Sequence, residues 1–87
     1  MAKEYLISFS SFYKAAYAQE MLWEEGFSAS LRKLPVELVR SCGTGLYLRT
    51  DEIHLVKEVF QRKDIVPRGI YEIASKDKMG RKYVKVG

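Results

Sequence analysis

Apolar and polar residues change their spacing several times along this 87-residue chain, and each change marks an element. Glu4 to Phe9, Glu-Tyr-Leu-Ile-Ser-Phe, is short and rich in aromatic and β-branched residues, as strands are. Ser10 and Ser11 then offer an N-cap. From Phe12 to Glu25 the apolar residues Phe12, Ala15, Ala16, Ala18, Leu22 and Trp23 recur at helical spacing. Gly26 predicts a left-handed stop, with Phe27 folding back onto Leu22 as in a Schellman motif. Phe27, Ala29 and Leu31 alternate with Ser28, Ser30 and Arg32, the period of a second strand, which Pro35 interrupts. Val36 to Arg40 is predicted as one helical turn, since proline is tolerated at a helix start. Leu46 to Arg49 alternates again as a third strand. Thr50 or Asp51 caps a second helix, striped by Ile53, Val56, Val59 and Phe60 up to about Lys63. After Pro67 and Gly69, Ile70 to Ile73 reads as a fourth strand.

Strand, helix, strand, strand, helix, strand is the split βαβ order, so the expected fold class is α+β. More narrowly, it is a ferredoxin-like βαββαβ sandwich: a four-stranded antiparallel sheet with two helices on one face. That architecture hosts many unrelated functions. Residues 1–75 are expected to form this single domain, and 76–87 a basic C-terminal tail, frayed or adding a short edge strand.

The net charge of +4 changes meaning once divided along the chain. Residues 1–75 carry ten Lys/Arg and ten Asp/Glu, whereas Lys76, Lys78, Arg81, Lys82 and Lys85 face only Asp77. No apolar run approaches the ~18 residues needed to cross a bilayer. Met-Ala-Lys-Glu lacks the apolar core of a signal peptide. One cysteine cannot form an internal disulfide, which points to a reduced, cytoplasmic setting. His54 is placed at the far end of the sheet from that cysteine, and one Cys with one His is too few ligands for a metal site.

Candidate chemistry centres on Cys42. Gly43 and Gly45 flank Thr44, and such glycines let successive N–H groups turn toward an anion, of which a thiolate is one. Arg40 adds positive charge two residues before the sulfur. Ser41 and Thr44 offer hydroxyls to a bound sulfur. In the expected topology this connection shares one end of the sheet with Ser10, Ser11 and Arg68, and with a helix N-terminus whose dipole favours a thiolate. The competing reading of Cys42 is a small buried hydrophobe, a common fate of free cysteine.

Tyr5-Leu6-Ile7-Ser8-Phe9, Leu22 with Gly26, Pro35, Glu37, Ser41-Cys42-Gly43 and Gly69-Ile70-Tyr71-Glu72 together resemble the short bacterial selenium/sulfur carrier-like proteins, formerly a domain of unknown function. The likeness covers nearly all of residues 4–73, and the spacing of Pro35 seven residues before Cys42-Gly43 is its most specific part. Val36 stands where a basic residue is usual, and Val39 and Arg40 replace hydroxyls. The resemblance implies that Cys42 accepts a sulfane sulfur, or selenium, and passes it on. The implied partners are a donor such as a cysteine desulfurase and an acceptor protein. No cofactor is called for, and the role is that of a carrier rather than a hydrolase or a dithiol oxidoreductase. A lone thiol suits this, because a resolving cysteine would release the cargo.

The alternative is a non-catalytic binding module: a regulatory or homodimerising domain that uses the open sheet face, or an RNA-binding one. The RNA reading finds Tyr5 the only well-placed ring, with Thr44 and Leu46 where bases would stack, so nucleic acid is not the favoured partner.

Overall fold

The computed structural model describes residues 2–39, 43–77 and 80–87, with 75–77 and 80–81 described by backbone alone. The elements run β1 (Lys3–Ser8), α1 (Phe12–Glu24), β2 (Ala29–Lys33), a 3-10 turn (Val36–Leu38), β3 (Thr44–Thr50), α2 (Ile53–Arg62), β4 (Gly69–Asp77) and β5 (Gly80–Lys85). The sheet has the order β2-β3-β1-β4-β5, with every neighbouring pair antiparallel. The fold is therefore α+β, with five strands where four were expected. The basic C-terminal segment is not frayed: β5 pairs with β4 from Asp77↔Gly80 to Tyr71↔Lys85. Beyond it, Val86 and Gly87 exchange backbone bonds with Ile70 at 2.7 and 3.0 Å. Of the two expectations for this segment, the edge strand is the one formed, and its lysines are the charges that blunt an exposed edge.

β1 occupies the centre of the sheet, and its two-residue period serves two layers. Tyr5, Ile7 and Phe9 point into the helix-covered core with Ala15, Ala18, Leu22, Leu46, Leu48, Val56, Val59 and Phe60. Leu6 faces the other way, with Leu34, Leu38, Tyr71 and Ile73. α1 buries Ala15, Ala18 and Leu22, and these alanines bring its axis close to the sheet. Phe12 and Trp23, expected on the buried stripe, are 51% and 58% exposed. Trp23 instead lies at the rim, where its ring N–H and the Gln19 amide both donate to the Ala29 carbonyl at 3.0 Å. α2 buries Val56, Val59 and Phe60 as its spacing predicts, and Phe60 meets Phe9 edge-on at 6.1 Å.

The exit from α1 is the Schellman motif that the sequence predicts. Gly26 has φ +90°, Phe27 N–H donates to Leu22 O at 2.9 Å, and Gly26 N–H donates to Trp23 O at 3.0 Å. Because this turn consumes Phe27, β2 starts at Ala29 and runs one residue past the expected Arg32, to Lys33. α2 begins without a side-chain cap; Thr50 Oγ1 accepts from Glu52 N–H at 3.0 Å and shapes the turn before it.

Gly45 lies in the sheet. Together with Thr44 it belongs to β3, paired with Ser8 and Arg32, and not to the loop. A Cβ there would lie 2.3 Å from the Ile7 carbonyl and 2.7 Å from Leu34 Cδ2, so Gly45 is required by packing. Gly43 has open space around the same position. Gly45→Ala is expected to lower unfolding free energy by about 1–3 kcal/mol. Gly43→Ala should stay within roughly 0.5 kcal/mol of the parent protein in urea denaturation, as surface changes do. A chain stopped after Ala74 should unfold at lower urea than the full chain, because it loses β5 and the contacts of Val86 with the core.

Candidate functional site

The carboxyl end of β1 organises one end of the sheet. Ser8, itself buried, pairs with Gly45 on one side and Gly69 on the other. Its carbonyl accepts from Arg68 N–H at 2.7 Å. The chain after Ser8 passes through half-buried Ser10 and Ser11 into α1, where Ser11 Oγ caps the helix by accepting from Lys14 N–H at 3.2 Å. Ser10, Ser11, Arg68, Thr44 and Gly45 thus occupy the same end of the sheet. Thr44 is half-buried, Arg68 is exposed, and Gly43 is exposed one residue before β3. α1 carries no acidic residue in its first turn, so its N-terminal dipole is uncompensated there.

Arg40, Ser41 and Cys42 lie outside the described residues. The two ends of the connection that holds them are described. Leu34 N–H donates to Gly43 O at 2.8 Å, which extends the β2–β3 ladder by one pair. Between these ends Pro35 opens the 3-10 turn, closed by Leu38 N–H to Pro35 O at 2.9 Å and Val39 N–H to Val36 O at 3.2 Å. This turn is shorter than the predicted 36–40 segment, since Val39 is already extended. Leu34 and Leu38 are 4% and 5% exposed and pack with Leu6 and Tyr71, so the first half of the connection is folded onto the open face of the sheet. Val36 and Val39 project outward, with Val36 89% exposed.

His54 is exposed in the first turn of α2, just after Thr50, which pairs with Lys3 at the opposite end of the sheet from Ser8. Among the described residues no group of three or more His, Cys, Asp or Glu could hold a metal ion. None of the described helices is long and apolar enough to cross a membrane.

Two features went unread in the sequence. A cavity of about 310 Å³ lies between α1 and the segment before β4, lined by Phe9, Tyr13, Lys14, Tyr17, Asp64 and Ile65 among others, with Tyr13 84% exposed at its rim. Its only sequence signal is the run of rings at 9, 12, 13 and 17, which reads equally well as core. The second is a polar pair on the open face. Tyr47 donates its hydroxyl to Glu4 Oε2, and the Arg32 guanidinium lies 4.6 Å above its ring.

That hydrogen bond, followed by burial and the Glu4 charge, raises the Tyr47 pKa above the ordinary 10.0, against the opposing pull of Arg32 and Arg49. Tyr5 is also raised, first by burial and then by Glu72. For a phenol raised in the folded state, the associated stability is present below pH about 10 and is lost as pH climbs through the folded pKa. Glu4→Gln should therefore bring the Tyr47 titration, followed by absorbance at 295 nm, down toward 10. Above pH 10 the parent protein should lose more stability than Tyr47→Phe does.

These observations define a small α+β domain in which an antiparallel sheet is covered on one face by two helices, and the connection into β3 contains the only cysteine. Residues 4–72 match the family described as "Putative Se/S carrier protein-like", and the chain belongs to that family. The matched span takes in β1 through the first half of β4 and leaves β5 outside. The chain matched none of the curated proteins and none of the solved structures with which it was compared.

Proposed function

We propose that this protein carries sulfane sulfur, or selenium, on Cys42 and hands it to a second protein. Membership of the Se/S carrier-like family, across a span that includes the chain's only thiol, is the observation that carries this reading. In the loading step the Cys42 thiolate attacks the outer sulfur of a donor persulfide. The new bond is Cys42 S–S, the donor's S–S bond breaks, and the donor leaves as a thiolate. The exchange moves one sulfur without net oxidation or reduction and needs no cofactor.

The reading assigns supporting roles along the loop. Arg40 and the N-terminus of α1 favour the thiolate, Ser41 and Thr44 donate to the bound sulfur, and Gly43 lets a partner's active site approach the backbone. Ser10, Ser11 and Arg68 belong to the same surroundings, since they flank Ser8 and Thr44 at that end of the sheet. Gly45 keeps a structural role beneath Leu34. In this reading β1–β4 and the two helices are a ferredoxin-like core with β5 added, the compartment is a reducing cytoplasm, and the partners are a donor such as a cysteine desulfurase and an acceptor. The hydrogen bond between Leu34 and Gly43 closes the connection at its root.

The test is intact mass after incubation of the reduced protein with a cysteine desulfurase and cysteine. A gain of one sulfur, removed by reductant and absent in Cys42→Ser, is the expected result. No gain, with a thiol that is alkylated only after unfolding, would show that Cys42 is core and overturn the proposal.

A further inference from the structure

The two helices end in the same turn but with different residues. After α1, Gly26 takes the left-handed position at φ +90°; after α2, Asp64 takes it at φ +55°, alone among the described non-glycine residues in having a positive φ. The backbone bonds correspond. Ile65 N–H donates to Phe60 O at 2.8 Å and Asp64 N–H to Gln61 O at 3.4 Å, as Phe27 and Gly26 do to Leu22 and Trp23. Glycine meets this backbone requirement without steric cost, whereas a residue with a Cβ is strained there. The turn by itself therefore does not account for an aspartate at position 64.

Asp64 lines the cavity of about 310 Å³ between α1 and the segment before β4, a volume at the low end of small-molecule sites, which run from about 300 to 1,000 Å³. Phe9 is its buried wall, 1% exposed and met edge-on by Phe60 at 6.1 Å. Tyr13 and Tyr17 line it from α1, and Ile65 from the turn after α2. Each of these two sides also brings one charged residue, Lys14 from α1 and Asp64 after α2. The ion pairs among the described residues are Lys3 with Glu72 and Arg62 with Glu25, so within that set neither Lys14 nor Asp64 has an ionic partner.

An aromatic cavity with an unpaired cation on one side and an unpaired anion on the other selects its occupant by charge. A simple anion meets Asp64 as a like charge, and a simple cation meets Lys14. A neutral apolar molecule would fill the space but cover two charges that nothing then pairs. A zwitterion with an aromatic body satisfies both sides at once. We infer that this cavity binds a free aromatic α-amino acid, with its carboxylate toward Lys14, its ammonium toward Asp64 and its ring against Phe9, Tyr13 and Tyr17. The inference does not rest on the carrier reading, because none of these residues belongs to the connection that holds Cys42.

The test is isothermal titration calorimetry of the full chain with L-phenylalanine. Beside it are titrated its methyl ester, which lacks the carboxylate, N-acetyl-L-phenylalanine, which lacks the ammonium, and L-alanine, which lacks the ring. One-site binding of phenylalanine is expected with a Kd between about 0.05 and 1 mM. Each of the other three ligands should bind about threefold to tenfold more weakly. Lys14→Met should weaken phenylalanine by about fivefold and leave the methyl ester unchanged or tighter, since that ligand has no carboxylate to lose. Asp64→Asn keeps a residue that tolerates the left-handed backbone; it should weaken phenylalanine by about as much and leave N-acetyl-L-phenylalanine unchanged or tighter. Cys42→Ser should bind phenylalanine like the parent, so loss of sulfur transfer and loss of amino-acid binding are separable. Three results would each overturn the inference: no saturable binding up to about 10 mM phenylalanine, equal binding of phenylalanine and its two blocked forms, or equal losses for every ligand in either variant.

Discussion

Everything in this fold leans on β1, a strand buried on both faces and paired along both edges. Its odd positions hold the two helices to the sheet, and Leu6 anchors the smaller cluster on the other side. Burying one such side chain is worth about 1.5–3 kcal/mol, and β1 with the residue that follows it supplies Ile7 and Phe9, almost fully buried, within three residues. A one-residue slip in its register would exchange the two sets and undo both layers at once. The same strand ends at Ser8, whose pairing with Gly45 and Gly69 brings three connections to one end of the molecule.

That convergence links packing to chemistry. The cysteine connection leaves β2 through Leu34, which lies over the missing side chain of Gly45, and it is fastened again at Gly43. Gly69 is overlain by the Tyr71 hydroxyl in a similar way. The glycines paired with Ser8 thus serve close approach, while Gly43, like Gly26, keeps open space around it. The described ends of the connection are thus held to the sheet at Leu34 and Gly43. β5 completes the sheet as its edge strand, and its sequence carries Arg81, Lys82 and Lys85 there.

The sequence by itself determined the order of the elements, because hydrophobic period and helix-stop chemistry are local. Gly26 with Phe27 was legible as a Schellman motif, Ser11 as a cap and Val56, Val59 and Phe60 as a buried stripe, each from residues within a turn of one another. The family was legible too, from the Pro35 to Cys42-Gly43 spacing. Only the tertiary structure decided whether Phe12 and Trp23 lie inside or at a rim, since one helix spacing serves both. It also decided that Gly45 answers to Leu34 and the Ile7 carbonyl, that a lysine-rich end is a fifth strand, and that Tyr5 and Tyr47 face opposite ways. The physical reason is common to all four. Each depends on a partner many residues away in the chain, and which face of a strand meets that partner is set by sheet register, which no local pattern contains.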